Sequence, residues 1–169
     1  CAFTPGQVGC WLSHRLAWEA AARAPGGVAL ILEDDAVIDD GFLAELDAIE
    51  KATRAFEVVQ LSFTCVPGKR FHPIADGSGH RAIGRIIGKA NGGGAYLVRG
   101  AGARKLLSIR TMACCNDDWA WYEALTGLRR CGVWPPLVTN PPHDSVIAEV
   151  DSERGVSRRN RKQSPFWRF

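Results

Sequence analysis

A chain of 169 residues, 46% hydrophobic and 23% charged, suits one folded domain with a proper core, and no apolar run approaches the 18 or so residues of a membrane span. The net charge of +3 hides an asymmetry: residues 151–169 hold six basic side chains against Asp151 and Glu153, and removing them from the 21 basic and 18 acidic groups leaves 15 and 16. The positive charge belongs to the tail, not to the fold, whose balance is close to neutral at −1.

The chain opens on Cys1 without a start methionine or signal peptide, and the expectation is a fragment or a trimmed chain. Cys1, Cys10, Cys65, Cys114, Cys115 and Cys131 include no Cys-x-x-Cys pair, and adjacent Cys114-Cys115 make an awkward disulfide framework. Reduced thiols in a cytosolic protein are expected.

Thr4-Pro5-Gly6 reads as a helix start, with Thr4 as N-cap and Pro5 at the first helical position. Val8, Trp11, Leu12, Leu16 and Trp18 then mark an apolar side, which predicts a helix over roughly residues 6–23. Ser13 and His14 lie off the centre of that stripe, where a histidine either packs and hydrogen-bonds or serves a site.

Ala29-Leu30-Ile31-Leu32 runs straight into Glu33-Asp34-Asp35. The apolar run between turn signals predicts a strand buried on both faces, and ligands bind beyond the carboxyl ends of strands in open α/β sheets. Three crowded acids repel one another unless a cation sits among them. Oxygen ligands suit magnesium or manganese, with substrate phosphates completing the shell. A solvated acidic turn is the alternative.

Phe42, Leu43, Leu46 and Ile49 follow helical spacing over about residues 41–54, and residues 57–63 read as a strand, which together suggest a βαβ unit. Residues 64–80, rich in Gly, Pro, His and Ser, predict a loop. A strand is expected over 82–87, then the permissive turn Asn91-Gly92-Gly93-Gly94, then a strand over 95–98. The glycines suit either a tight packing turn or close approach to a phosphate.

A short helix is predicted over 101–109, and Asn116-Asp117-Asp118 reads as the cap of another over 119–125. Residues 131–138 read as a last, edge strand because of Pro135 and Pro136, followed by a polar turn with His143. The two expected units are therefore a domain over 1–150 and a basic, aromatic tail over 151–169. Residues 154–169 suit the surface of an anionic membrane; a solvated end is the alternative, and no recognition module argues for nucleic acid.

Taken in order, the segments Thr4 to His14 with its Gly-Cys-x-x-Ser-His, Leu32-Glu33-Asp34-Asp35, Gly93 to Val98 with Ala103 to Leu107, and Asp117-Asp118 resemble glycosyltransferase family 25. The resemblance spans most of residues 3–147. It implies a GT-A-like α/β domain lacking the usual first strand, which would contribute to the nucleotide pocket. It further implies an inverting, metal-dependent enzyme moving a sugar, usually galactose, from a UDP-sugar to a lipooligosaccharide or other glycan.

In that likeness Asp35 is a direct ligand of Mn2+ or Mg2+, with Glu33 and His143 as further metal partners. Glu33, Asp34, Ser13, His14, Gly93 and Gly94 are expected at the donor, Glu33 at its ribose. Asp117 or Asp118 is expected as the base that takes the acceptor's proton. The expected place is the cytoplasm, peripheral to the inner face of the inner membrane. The alternative is a non-catalytic, truncated homologue that binds glycan or a partner glycosyltransferase.

Overall fold

In the computed structural model of this chain, the described residues are 3–25, 27–64, 71–77, 79–88, 90 and 92–139. Helix α1 (Pro5–Arg23) starts as its sequence dictates: Thr4 and Gln7 cap each other's backbone N–H groups in a capping box. Strand β1 (Val28–Leu32) leads to α2 (Phe42–Ala52) and the short β2 (Val58–Gln60). A hairpin follows, β3 (Phe71–Asp76) and β4 (Ala82–Ile86), then β5 (Ala95–Arg99), α3 (Gly100–Leu107), α4 (Trp119–Thr126) and β6 (Arg130–Trp134).

The six strands form one mixed sheet in the order β1-β5-β2-β6-β4-β3. The β2–β6 pair is parallel and the other pairs are antiparallel, so β1, β2 and β6 run in the same direction. The period of two divides the side chains between two layers. On β5, Ala95 and Leu97 join Phe42 and Ile49 of α2 on one face, while Tyr96 and Val98 join Trp18 of α1, Leu106 of α3 and Trp119 of α4 on the other. The result is an α/β domain with helices on both faces of the sheet.

Several expectations change in tertiary context. β1 has both faces covered, with Leu30 packing towards α2 and Ala29 and Ile31 towards α1. It nevertheless stands at the edge of the sheet rather than inside it, and its residues are half-buried or exposed. β1 and β2 flank α2 as a βαβ unit would, but β5 lies between them, antiparallel to both.

The predicted loop over 64–80 contains β3. Its composition misled because β3 is itself the opposite edge: beyond buried Phe71 its residues are exposed, and an edge accepts Pro73. β6 in turn is not an edge; it lies between β2 and β4, and its prolines follow the paired segment.

The stripe on α1 also turns. Trp11, His14, Trp18 and Ala21 face the core, whereas Val8, Leu12 and Leu16 are exposed. His14 thus sits on the buried face, not off its centre. Asp118 occupies the N-cap position of α4, but its side chain makes no capping hydrogen bond there. Among the described residues, Cys10, Cys114, Cys115 and Cys131 take part in no disulfide. Among the described residues no helix is long and apolar enough to cross a membrane. His143 and the tail over 151–169 lie outside the described residues.

Candidate active site

The acidic turn begins where β1 ends. Glu33 N–H donates to the Gly94 carbonyl at 2.8 Å, extending the β1–β5 ladder by one bond, and Ala36 N–H closes the turn onto the Glu33 carbonyl at 3.2 Å. The chain beyond is tied down by a bridge, Val37 N–H donating to the Thr139 carbonyl at 2.8 Å. Leu137 N–H in turn donates to the Leu61 carbonyl just past β2. The carboxyl ends of β1, β2 and β6 are thereby drawn around one open cavity of about 420 Å³.

Glu33, Asp35, Gly92 to Gly94, Ser62, Thr64 and Asp117 are among its lining residues. Gly92 to Gly94 form its floor and are tied to the sheet and to α4 through the Gly92 carbonyl. Gln60 Nε2 and Trp119 Nε1 both donate to the Gly92 carbonyl, at 3.0 and 2.8 Å. Gly92 has φ +145°, and a Cβ there would lie 2.6 Å from the Ser62 carbonyl oxygen, so only glycine fits. A Cβ on Gly93 would meet the Asn116 amide nitrogen at 3.4 Å and Glu33 Oε1 at 3.5 Å. Asn116 is buried, and its Oδ1 has no hydrogen-bond partner among the described residues.

Behind Glu33 lies a chain of polar contacts through the core. Trp18 Nε1–H donates to Tyr96 Oη at 2.8 Å, and Tyr96 Oη meets His14 Nδ1 at 2.7 Å. The other imidazole nitrogen, Nε2, meets Glu33 Oε1 at 3.2 Å. An ionised carboxylate only accepts, so in this contact a neutral imidazole donates through Nε2–H and leaves Nδ1 to accept from the Tyr96 hydroxyl, which itself accepts from Trp18. His14 also stacks on Tyr96, ring centroids 5.7 Å apart. Burial raises the Tyr96 phenol above its ordinary range. Burial, followed by the charges of Glu33, Asp117 and Cys115, pushes the Cys10 thiol up to about 11.

Of the residues singled out in the sequence, Glu33, Asp35, Gly93, Gly94 and Asp117 line the cavity. His14 reaches it through Glu33. Asp34 and Ser13 are exposed, and Asp118 is buried at the start of α4; none of the three lines the cavity. Sequence reasoning missed Ser62, Thr64, Asn116, Tyr96 and Cys10. Cys10 and Tyr96 stand in the segments that carried the family resemblance, and the i, i+4 spacing of Cys10 and His14 on one helix was a further signal.

Fold and cavity together define an α/β domain with an acidic, glycine-floored site beyond the carboxyl ends of its co-directional strands, where such sheets bind small ligands. The sequence profile of glycosyltransferase family 25, described as LPS biosynthesis protein, matches residues 2–120. The chain belongs to that family. A human relative, named inactive glycosyltransferase 25 family member 3, is 30% identical over 110 residues, which are 64% of this chain and 18% of that protein. The chain therefore spans less than a fifth of the length of this curated relative.

Proposed function

We propose that this domain transfers a sugar, galactose first among candidates, from a UDP-sugar to a hydroxyl of an oligosaccharide or glycolipid, with inversion and with a divalent cation. The observation that carries the reading is the convergence of Glu33, Asp35 and Asp117 on one cavity floored by Gly92 to Gly94. A sheet with helices on both faces supports a GT-A-like arrangement.

The residues fit a cation. Carboxylate oxygens are the hard donors that Mg2+ and Mn2+ prefer, and three acids around one cavity are mutually repulsive without positive charge between them. Asp35 would hold the ion, with Glu33 towards the ribose and His143 completing the set. When bound, such a cation stabilises negative charge on a departing diphosphate as a Lewis acid.

The protein's own groups do the rest. Tyr96 and Trp18 fix the His14 ring, and His14 fixes the Glu33 carboxylate against the glycine turn. Asp117 takes the acceptor's proton as its oxygen attacks, which requires a base within hydrogen-bond reach of that hydroxyl. Asp118, buried at the head of α4, is the second choice for that role. In the same reading, residues 154–169 rest on an anionic membrane surface beside a glycolipid acceptor.

The test is turnover of UDP-galactose with Mn2+, followed as UDP release. Asp35→Ala is expected to lower it about 100-fold, as loss of one preorganised charge-stabilising group does. Unchanged release would discard the assignment. A second reading, a non-catalytic glycan or partner binder, draws on the relative whose printed name says inactive. Calorimetry with UDP and Mn2+ separates the two, since that reading predicts no metal-dependent nucleotide binding.

A further inference from the structure

Beside the acidic cavity lies a cluster of different chemistry. Cys10 and His14 are one turn apart on α1, and Glu33 meets them from the end of β1. One ligand atom from each, a thiol sulfur, an imidazole nitrogen and a carboxylate oxygen, lies within 4.8 Å of the other two. We propose that Cys10, His14 and Glu33 form a site for a thiophilic divalent cation of the zinc type, distinct from the oxygen-rich place at Asp35.

A tetrahedral zinc has Zn–S near 2.3 Å and Zn–N near 2.0 Å, which spaces its ligands about 3.5 Å apart. Closing the cluster therefore takes side-chain movements of about an ångström, within reach of a half-buried cysteine and a glutamate at a turn. The imidazole is already supported as metal-bound histidines are, by a hydrogen-bonding partner on its far nitrogen. That partner is Tyr96 Oη, fixed by Trp18. Because a hydroxyl accepts as readily as it donates, Tyr96 also holds the tautomer that bares Nε2.

Mixed S, N and O donors select zinc-like ions over magnesium or manganese. Three protein ligands leave the fourth position open, as in zinc sites that hold water or a small ligand. On binding, the Cys10 thiol proton leaves to solvent and a sulfur–metal bond takes its place. Glu33 is shared, so filling this site draws its carboxylate away from the acidic cavity, while Asp35 and Asp117 remain there. The inference does not depend on sugar transfer.

The test is titration of the reduced, metal-stripped chain with Co2+, without nucleotide, followed by absorption. One equivalent is expected to give a thiolate-to-cobalt charge-transfer band with intense tetrahedral d–d bands, and Zn2+ should displace it stoichiometrically. Cys10→Ser should abolish the charge-transfer band with unchanged circular dichroism, and Tyr96→Phe should weaken binding about 10- to 100-fold. Cys115→Ser and Asp35→Ala should leave the band in place, the latter separating this site from the acidic cavity. A wild-type titration without the band, or a band that survives Cys10→Ser, overturns the proposal.

Discussion

The two ends of the sheet are built on opposite electrostatic plans. Where β2 and β6 begin and β5 finishes, acids meet cations at close range. Lys105 Nζ and the Arg129 backbone N–H both donate to Glu57 at 2.9 Å, and Arg99 pairs with Glu50 at 2.7 Å. Arg130, wholly buried, pairs with Glu123 at 2.8 Å. Burial works to raise the Glu57 carboxyl, but the Arg129 N–H and the Lys105 ammonium outweigh it, and the group titrates below its ordinary value. At the other end Glu33, Asp35 and Asp117 gather around a cavity, and the described partner of Glu33 is an imidazole. One end ties β2, α3 and β6 together; the other concentrates negative charge where a ligand can enter, as binding sites do.

That contrast can be broken from either side. The largest effect is expected at the cavity: Asp35→Ala should cost about 100-fold in UDP release, with circular dichroism of the variant checking that the fold is retained. Next is Gly92→Ala, which forces a Cβ to 2.6 Å from a carbonyl oxygen at a positive φ. A loss of about 2–3 kcal/mol is expected, read from the urea midpoint at constant m-value.

At the opposite end, Glu57→Gln should cost about 1–2 kcal/mol, because Lys105 and Arg129 are partly exposed and screened. Activity should be retained. The same carboxylate sets a pH dependence. Its folded value lies below the ordinary 4.5, so its contribution is complete above that pH and is lost as pH falls through the folded value. Acid unfolding of Glu57→Gln should therefore be flatter than wild type below about pH 4.5. Smallest is Lys51→Ala, which removes an exposed i, i+4 pair with Asp47; a change under about 0.5 kcal/mol is expected.

Some of this was written locally. The start of α1 was legible because a capping box needs only Thr4, Gln7 and the backbone between them. The strand over Ala29–Leu32 and the acids after it were legible because an apolar run meeting polar residues marks a strand end. The resemblance carried by Gly9 to His14 and Leu32 to Asp35 brought the family into view, and the match over residues 2–120 bears it out.

Other features were hidden because they depend on partners distant in sequence. His14 faces the core while Leu12 and Leu16 face outward, since Tyr96, 82 residues on, supplies the hydrogen bond that makes burying an imidazole tolerable. β3 looked like a loop and β6 like an edge because strand order is set by pairing. The acidic residues and their place after an apolar strand were determined by the sequence itself, through local hydrophobicity and charge. Which acids share a cavity, and that Cys10 and His14 stand beside one of them, was decided only when β5 inserted between β1 and β2 and long-range packing closed the chain around it.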